Sequence, residues 1–169
     1  MTGSTTGHGP RPDEPSGRFW SLEGGPQVLG RTRDRAGEAG LWILRGRRCT
    51  DVPSMFGEFA RQLRFPDYFG RNWAALEDCL TDLAWLPAPG YALLLDGAES
   101  LLVDERPAEL VRLVDLLDRV GRFWATPVEQ GEAWDRPAVD FHTVLGTSTE
   151  GRRRALAVRL RAAQASVRT

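Results

Sequence analysis

The chain has no lysine; all 22 of its basic residues are arginine. That bias points to a GC-rich coding sequence rather than to a binding chemistry. Cysteine is scarce too. Cys49 and Cys79 allow at most one bridge, and a bridge is unusual in a reducing cytosol. Neither cysteine sits in a CxxC or Cys/His cluster, and the histidines are only His8 and His142. A zinc site is therefore not expected. No run of 18 or more apolar residues occurs, so no membrane span is expected. Residues 1–17 contain no apolar core of a secretory signal. These absences together lead to the expectation of a cytoplasmic protein that takes no metal or other cofactor.

What is present suits one domain with tails. The 169 residues are 41% hydrophobic and include six tryptophans, enough for a core. The charged fraction is 27% and the mean hydropathy is −0.34, as expected for a chain that prefers water. The net charge of −1 hides a segregation. Residues 1–65 hold ten arginines and seven acids; residues 66–150 hold six arginines and 16 acids, a net of −10; residues 151–169 hold six arginines and no acid. An acidic centre of this kind steers basic partners, although a merely solvated acidic surface has the same composition.

Residues 1–17, rich in Gly, Pro, Ser and Thr, are expected to be a disordered tail. Residues 18–40 are expected to form an extension, a short hairpin built on Phe19, Trp20, Leu22, Val28 and Leu29, with 31–40 an exposed loop. LWILRG (41–46) reads as a buried strand. Asp51 and Pro53 open a helix whose apolar residues Val52, Met55, Phe56, Phe59, Ala60 and Leu63 share one face. Pro66 stops it. Asn72 is a candidate N-cap for a second helix over about 73–84. YALLLD (91–96), apolar almost throughout, predicts a strand covered on both faces. A long helix over 107–124, a strand over 140–146 and a basic amphipathic helix over about 150–166 follow. The alternation predicts an α/β fold with a small, mostly parallel sheet packed by helices.

The stretch FPDYFGRNWAALEDCLTDL (65–83) carries the most specific signal. It has a proline, an acid, two aromatics and a glycine, then an asparagine, an acidic helix and a Cys-Leu-Thr close. Pro66, Asp67, Tyr68, Gly70, Asn72, Leu76, Asp78, Cys79, Leu80 and Thr81 match, in order and spacing, the signature of the barstar family, which this chain resembles over about residues 41–146. The resemblance implies a three-stranded parallel sheet packed by helices. It also implies an inhibitor, or immunity protein, that plugs the basic active-site cleft of a secreted-type bacterial ribonuclease. Carboxylates on a preorganised helix can occupy the phosphate positions of such a cleft. By resemblance Tyr68, Phe69 and Gly70 form the aromatic contact loop, Asn72 starts the inhibitory helix, Asp78 is the principal acid, and Thr81 and Asp82 lie on its partner-facing last turn. Direct nucleic-acid binding is not implied, and the free protein is expected to be a monomer.

The sequence departs from the family pattern in places. A second acid usual four residues before Asp78 is replaced by Ala74, and Glu77 stands where the family usually has tryptophan. Glu77 lies on the same helical side and is a candidate substitute charge. By the same resemblance a further family acid, on the following long helix, falls near Asp115 or Asp118, with the register left open. The pattern therefore implies either a ribonuclease with a recoded interface or a partner of another kind on the same fold. Bland readings compete at several positions. Phe69 can staple the loop to the core, Gly70 can serve only the turn, and Cys79 falls on the buried stripe as a small hydrophobe. No phosphate loop, metal cluster or nucleophile–base pair is visible, so an enzyme is not expected. The C-terminal arginines (Arg152, Arg153, Arg154, Arg159, Arg161 and Arg168) carry no interleaved aromatics, which argues against a nucleic-acid surface.

Overall fold

The computed structural model describes residues 19–133 and 135–167. The elements in order are β1 (Trp20–Gly24), α1 (Val28–Ala36), β2 (Gly40–Arg45), α2 (Val52–Gln62), α3 (Trp73–Asp82), β3 (Gly90–Asp96), α4 (Pro107–Ala125), β4 (Asp140–Thr147) and α5 (Glu150–Val167), with single 3₁₀ turns at Gly46–Arg48 and Ala98–Ser100. All neighbouring strands pair parallel, in the order β1-β4-β3-β2. In register, Leu93 of β3 lies between Trp42 of β2 and Thr143 of β4, and Thr143 faces Trp20 of β1.

Strand alternation divides the sheet into two unequal faces. Trp20, Leu22, Leu44, Leu93, Leu95, Phe141 and Leu145 point into the main core, which α2, α3, α4 and α5 complete with Phe59, Leu80, Leu113, Leu117 and Leu160. Leu94 and Val144 point the other way, against Val28 of α1, with Leu41 and Ile43 alongside. A single helix on that face follows from the chain's path. Right-handed crossovers put α1, which carries the chain from one sheet edge to the other, on the face opposite the helices that bring it back.

The sheet has four strands rather than three, because residues 18–40 are not a hairpin. Trp20 and Leu22 alternate with Ser21 and Glu23, and β1 uses this period-2 pattern to pair with β4. The stretch expected to be an exposed loop over 31–40 is largely α1. That helix buries only Val28 and Thr32, one turn apart, so its arginine-rich remainder has no apolar stripe to betray it. β2 is an edge strand: Leu44 is fully buried, whereas Leu41, Trp42 and Ile43 are half-buried. The expected disordered tail at 1–17 lies outside the described residues.

Two features fix the frame around α2. Asp51 caps it in a reciprocal box, its carboxylate accepting the Ser54 N–H at 2.7 Å while Ser54 Oγ accepts the Asp51 N–H at 3.3 Å. One turn on, the buried Glu58 carboxylate accepts the Arg45 backbone N–H (2.9 Å), Arg61 Nη2 (2.7 Å) and Gln62 Nε2 (3.0 Å). It closes the last outward donor of β2, so the sheet edge is blunted there. At the carboxyl ends of the strands, Gly46 and Gly97 meet so closely that a Cβ on Gly46 would strike the Gly97 carbonyl. Gly97 itself has φ of 76°, a left-handed conformation that suits glycine. Backbone hydrogen bonds from Leu102 to Cys49 (2.7 Å) and from Asp104 to Thr50 (3.0 Å) seal that end.

α5 is a docked helix. Leu156, Ala157, Leu160 and Ala163 are buried, Arg159 donates to the Leu101 and Leu102 carbonyls, and Arg152 pairs with Glu99 at 2.7 Å. Several of the C-terminal arginines thus serve the fold.

Burial pushes the Glu58 carboxyl up, but its hydrogen bonds to Arg61, Gln62 and the Arg45 N–H outweigh this and hold it below its ordinary value. A lowered folded-state pKa contributes stability above the ordinary value of 4.5 that is lost as pH falls below it. Glu58→Gln is expected to flatten the acid limb of the stability curve. Glu58→Ala, which strands the Arg45 N–H, is expected to cost about 1–3 kcal/mol in urea unfolding at neutral pH.

Candidate functional site

The segment between α2 and β3 is built as a braced platform. Phe65 N–H bonds back to the Ala60 carbonyl at 2.9 Å and Phe69 N–H to the Pro66 carbonyl at 3.0 Å, closing a tight loop. The Phe65 ring packs edge-on against Phe69 at 4.9 Å, and Phe56 packs against both Phe69 (6.1 Å) and Trp73 (5.4 Å). Phe69 is buried, so its ring holds the loop down. Its neighbour Tyr68 is 71% exposed. The two aromatics that look equivalent in sequence thus have opposite fates.

Asn72 begins α3. Its backbone is extended and its side-chain oxygen accepts the Ala75 N–H at 2.9 Å, while its amide donates to the Gly70 carbonyl at 3.3 Å. A Cβ on Gly70 would come within 3.0 Å of the Asn72 amide nitrogen, so glycine leaves room for this cap. Leu76, Cys79 and Leu80 bury the inner face. The last turn is tethered from α4, where Trp124 Nε1 donates to the Leu80 carbonyl at 2.8 Å. Leu83 ends the helix in a left-handed conformation with φ of 45°. The helix is therefore held at both ends before anything binds it.

The outer stripe of α3 carries Ala74, Asp78 and Asp82, spaced four apart and all exposed. The Asp78 and Asp82 carboxylates have no ion pair among the described residues. Thr81 is half-buried and its hydroxyl donates back to the Glu77 carbonyl at 2.9 Å. On one flank stands Tyr68, whose hydroxyl pKa is raised by desolvation and by the nearby charge of Asp82. On the other flank is Glu77. Its carboxylate receives Arg119 Nε at 2.9 Å and Nη2 at 2.8 Å, a two-pronged pair from α4. The Arg119 hydrogen bond holds the Glu77 carboxyl below its ordinary value. Glu77 is thus an acid already engaged within the chain.

Two α4 arginines at this face had no signal in the sequence. Arg112 lies over the Trp73 ring at 4.9 Å and Arg119 grips Glu77. Their spacing of seven marks one helical side, but nothing in it says which helix that side faces. Of the two candidate acids on α4, Asp118 is occupied by Arg122 (2.8 Å) and the Phe19 N–H (3.4 Å). Asp115 is exposed and close enough to raise the pKa of Arg119 further. Cys79 is buried, and burial first and then the charges of Asp78 and Asp82 push its thiol up, away from the reactive thiolate. His142 faces the α1 side of the sheet, where it shares a 3.2 Å hydrogen bond with Ser21. It is on the opposite face from α3 and cannot act as a base for Cys79. Among the described residues no group of three or more His, Cys, Asp or Glu side chains is placed to hold a metal ion, and no helix is long and apolar enough to cross a membrane.

A parallel sheet covered by helices on both faces, with one capped and tethered helix at its surface, defines an α/β protein. The family is more definite. The chain belongs to the barstar family, described as barstar (barnase inhibitor), whose model matches residues 41–146. No curated protein matches it significantly. Among solved structures it is similar to the Aeropyrum pernix ORC2 protein in its ADP form, with a TM-score of 0.52 at 10% identity over 87% of this chain. It is similarly close to the ADPNP-ADP complexes of that protein, with a TM-score of 0.52 at 11% identity over 86% of this chain. In both cases it spans 40% of the other chain. At such identities the likeness concerns the fold alone.

Asn72→Ala removes the cap without touching the core. It is expected to lower stability by about 1 kcal/mol in urea unfolding, with the α3 amides showing the earliest hydrogen exchange.

Proposed function

We propose that the chain is a non-enzymatic, cytoplasmic inhibitor of a barnase-type ribonuclease. In this reading α3 and the loop before it enter the enzyme's basic cleft. Asp78 meets the cations that bind RNA phosphate, Asp82 extends the acidic stripe by one turn, and Tyr68 packs its exposed ring on the rim. Ala74, Gly70 and Thr81 give close approach; Phe69 and Asn72 act from behind, as the wedge and the cap that hold the contact surface still. The observation that carries this reading is the pair of free carboxylates on a helix fixed at both ends, within a chain of the barstar family. Preorganisation lowers the entropy lost on binding. The net charge of −10 over residues 66–150 favours fast encounter with a basic enzyme. The complex would need no cofactor and pair one inhibitor with one enzyme.

A second reading is favoured by one observation, the missing acid at Ala74. It makes the same surface an interaction module for a partner that is not a ribonuclease.

The test is inhibition of RNA cleavage by a purified barnase-type ribonuclease, with association followed by stopped flow. Wild type is expected to inhibit one to one, with an on-rate that falls as salt rises. Asp78→Ala is expected to weaken binding by about 2–5 kcal/mol, mostly through faster dissociation. A wild-type chain that leaves the nuclease fully active would transfer the surface to the second reading.

A further inference from the structure

Three carboxylates line α3, but only two of them are free. Asp78 and Asp82 lie on the outer stripe, while Glu77 is turned about a quarter-circle toward α4 and held there by Arg119. The pair is open to solvent, with side-chain exposures of 48% for Arg119 and 35% for Glu77. An exposed pair of this kind adds little to folding. Nor is it needed to join the two helices: Trp124 already donates to the Leu80 carbonyl from a buried position, and Arg112 already covers Trp73. Its larger effect is on charge. Arg119 engages Glu77 and lies beside the exposed Asp115, so one guanidinium offsets two carboxylates at the border of the acidic stripe. Glu77 takes two of its five N–H donors, Nε and one of Nη2, and its Nη1 makes no hydrogen bond to the described residues.

Resting on the inhibitor reading above, we propose that Arg119 is a specificity determinant: it withholds Glu77 and sets a cation on the rim of the binding surface, so the chain disfavours uniformly basic clefts and selects a nuclease that offers a hydrogen-bond acceptor opposite Arg119. Discrimination of this kind works by repulsion as much as attraction. A partner arginine that meets Arg119 is left unpaired at the interface, whereas a partner carboxylate or carbonyl uses the donors that Glu77 leaves free. Glu77 is then a held-back charge on the side of the helix where Ala74 leaves a gap.

The experiment uses the full chain and a purified barnase-type ribonuclease chosen for a cleft lined only by cations. Affinity and on-rate are measured at two ionic strengths for wild type, Arg119→Ala, Glu77→Gln and the double variant. Arg119→Ala removes a cation and frees two carboxylates, so it is expected to bind about tenfold tighter, with a faster and more salt-sensitive on-rate. The double variant is expected to lose the share of that gain that the freed Glu77 supplies and to keep the share that comes from removing the cation, so it must fall between wild type and Arg119→Ala. Glu77→Gln alone removes a carboxylate and leaves the Arg119 charge less offset, and it is expected to bind more weakly than wild type. Unchanged or weaker binding by Arg119→Ala overturns the assignment. Arg119→Gln, which keeps a hydrogen bond to Glu77, must rank between wild type and Arg119→Ala; if it binds as wild type does, the cation is not the determinant. Failure of every variant, wild type included, to bind the nuclease overturns the inhibitor reading itself. Loss of binding in Asp78→Ala together with indifference at Arg119 removes only the specificity role.

Discussion

β3 is buried on both faces from Gly90 to Leu95, and the rest of the molecule is arranged around that burial. A strand with Leu93 and Leu95 on one side and Ala92 and Leu94 on the other must have apolar cover above and below. Burying each leucine is worth about 1.5–3 kcal/mol, so neither face can be left to water. The main face receives four helices and the other receives α1. The need for that second cover explains why the chain spends residues 28–36 on a helix that is polar over most of its surface and buries only Val28 and Thr32. It also explains why β1 must cross to the far edge: its pairing with β4 sets α1 over the exposed side of β3 and β4.

The candidate site is a by-product of the same packing. α3 presents Leu76, Cys79 and Leu80 to the core, and its opposite face has no structural task. Carboxylates there can remain free. The Asn72 cap, the Phe69 wedge and the Trp124 tether make that face rigid without using any of its outer residues. Rigidity behind and freedom in front are what a charge-assisted interface requires. Arg112 and Arg119 complicate the picture, since they bring positive charge from α4 to the border of an otherwise acidic stripe.

Legibility in the sequence followed the strength of each local signal. β3, α2 and α4 were plain because their apolar residues recur at a clean period or run unbroken. The cap at Asn72 and the outward set Ala74, Glu77, Asp78, Thr81 and Asp82 could be read from spacing, but the weight given to Asp78 came from the family resemblance. α1 could not, because its nine residues are mostly polar and only two of them are buried, and with it went the fourth strand, whose partner lies more than a hundred residues away. The split between Tyr68 and Phe69 is open to a local reading, Tyr68 as the contact and Phe69 as a staple to the core, whereas the Glu77–Arg119 pair joins residues 42 apart. Contacts of that range are set by tertiary packing, which a local pattern does not encode.

The sealed carboxyl end of the sheet has a consequence for how such a protein can change. Open α/β sheets commonly carry their ligands in a crevice at that end, but here Gly46 abuts Gly97 and the loops beyond are laced together by backbone hydrogen bonds. On the proposed reading, recognition sits on the skin of one helix rather than in the interior of the fold. Positions 74, 77, 78 and 82 can therefore be rewritten without disturbing a core residue, and a lineage carrying this fold is free to follow a diverging partner at almost no cost to its own folding.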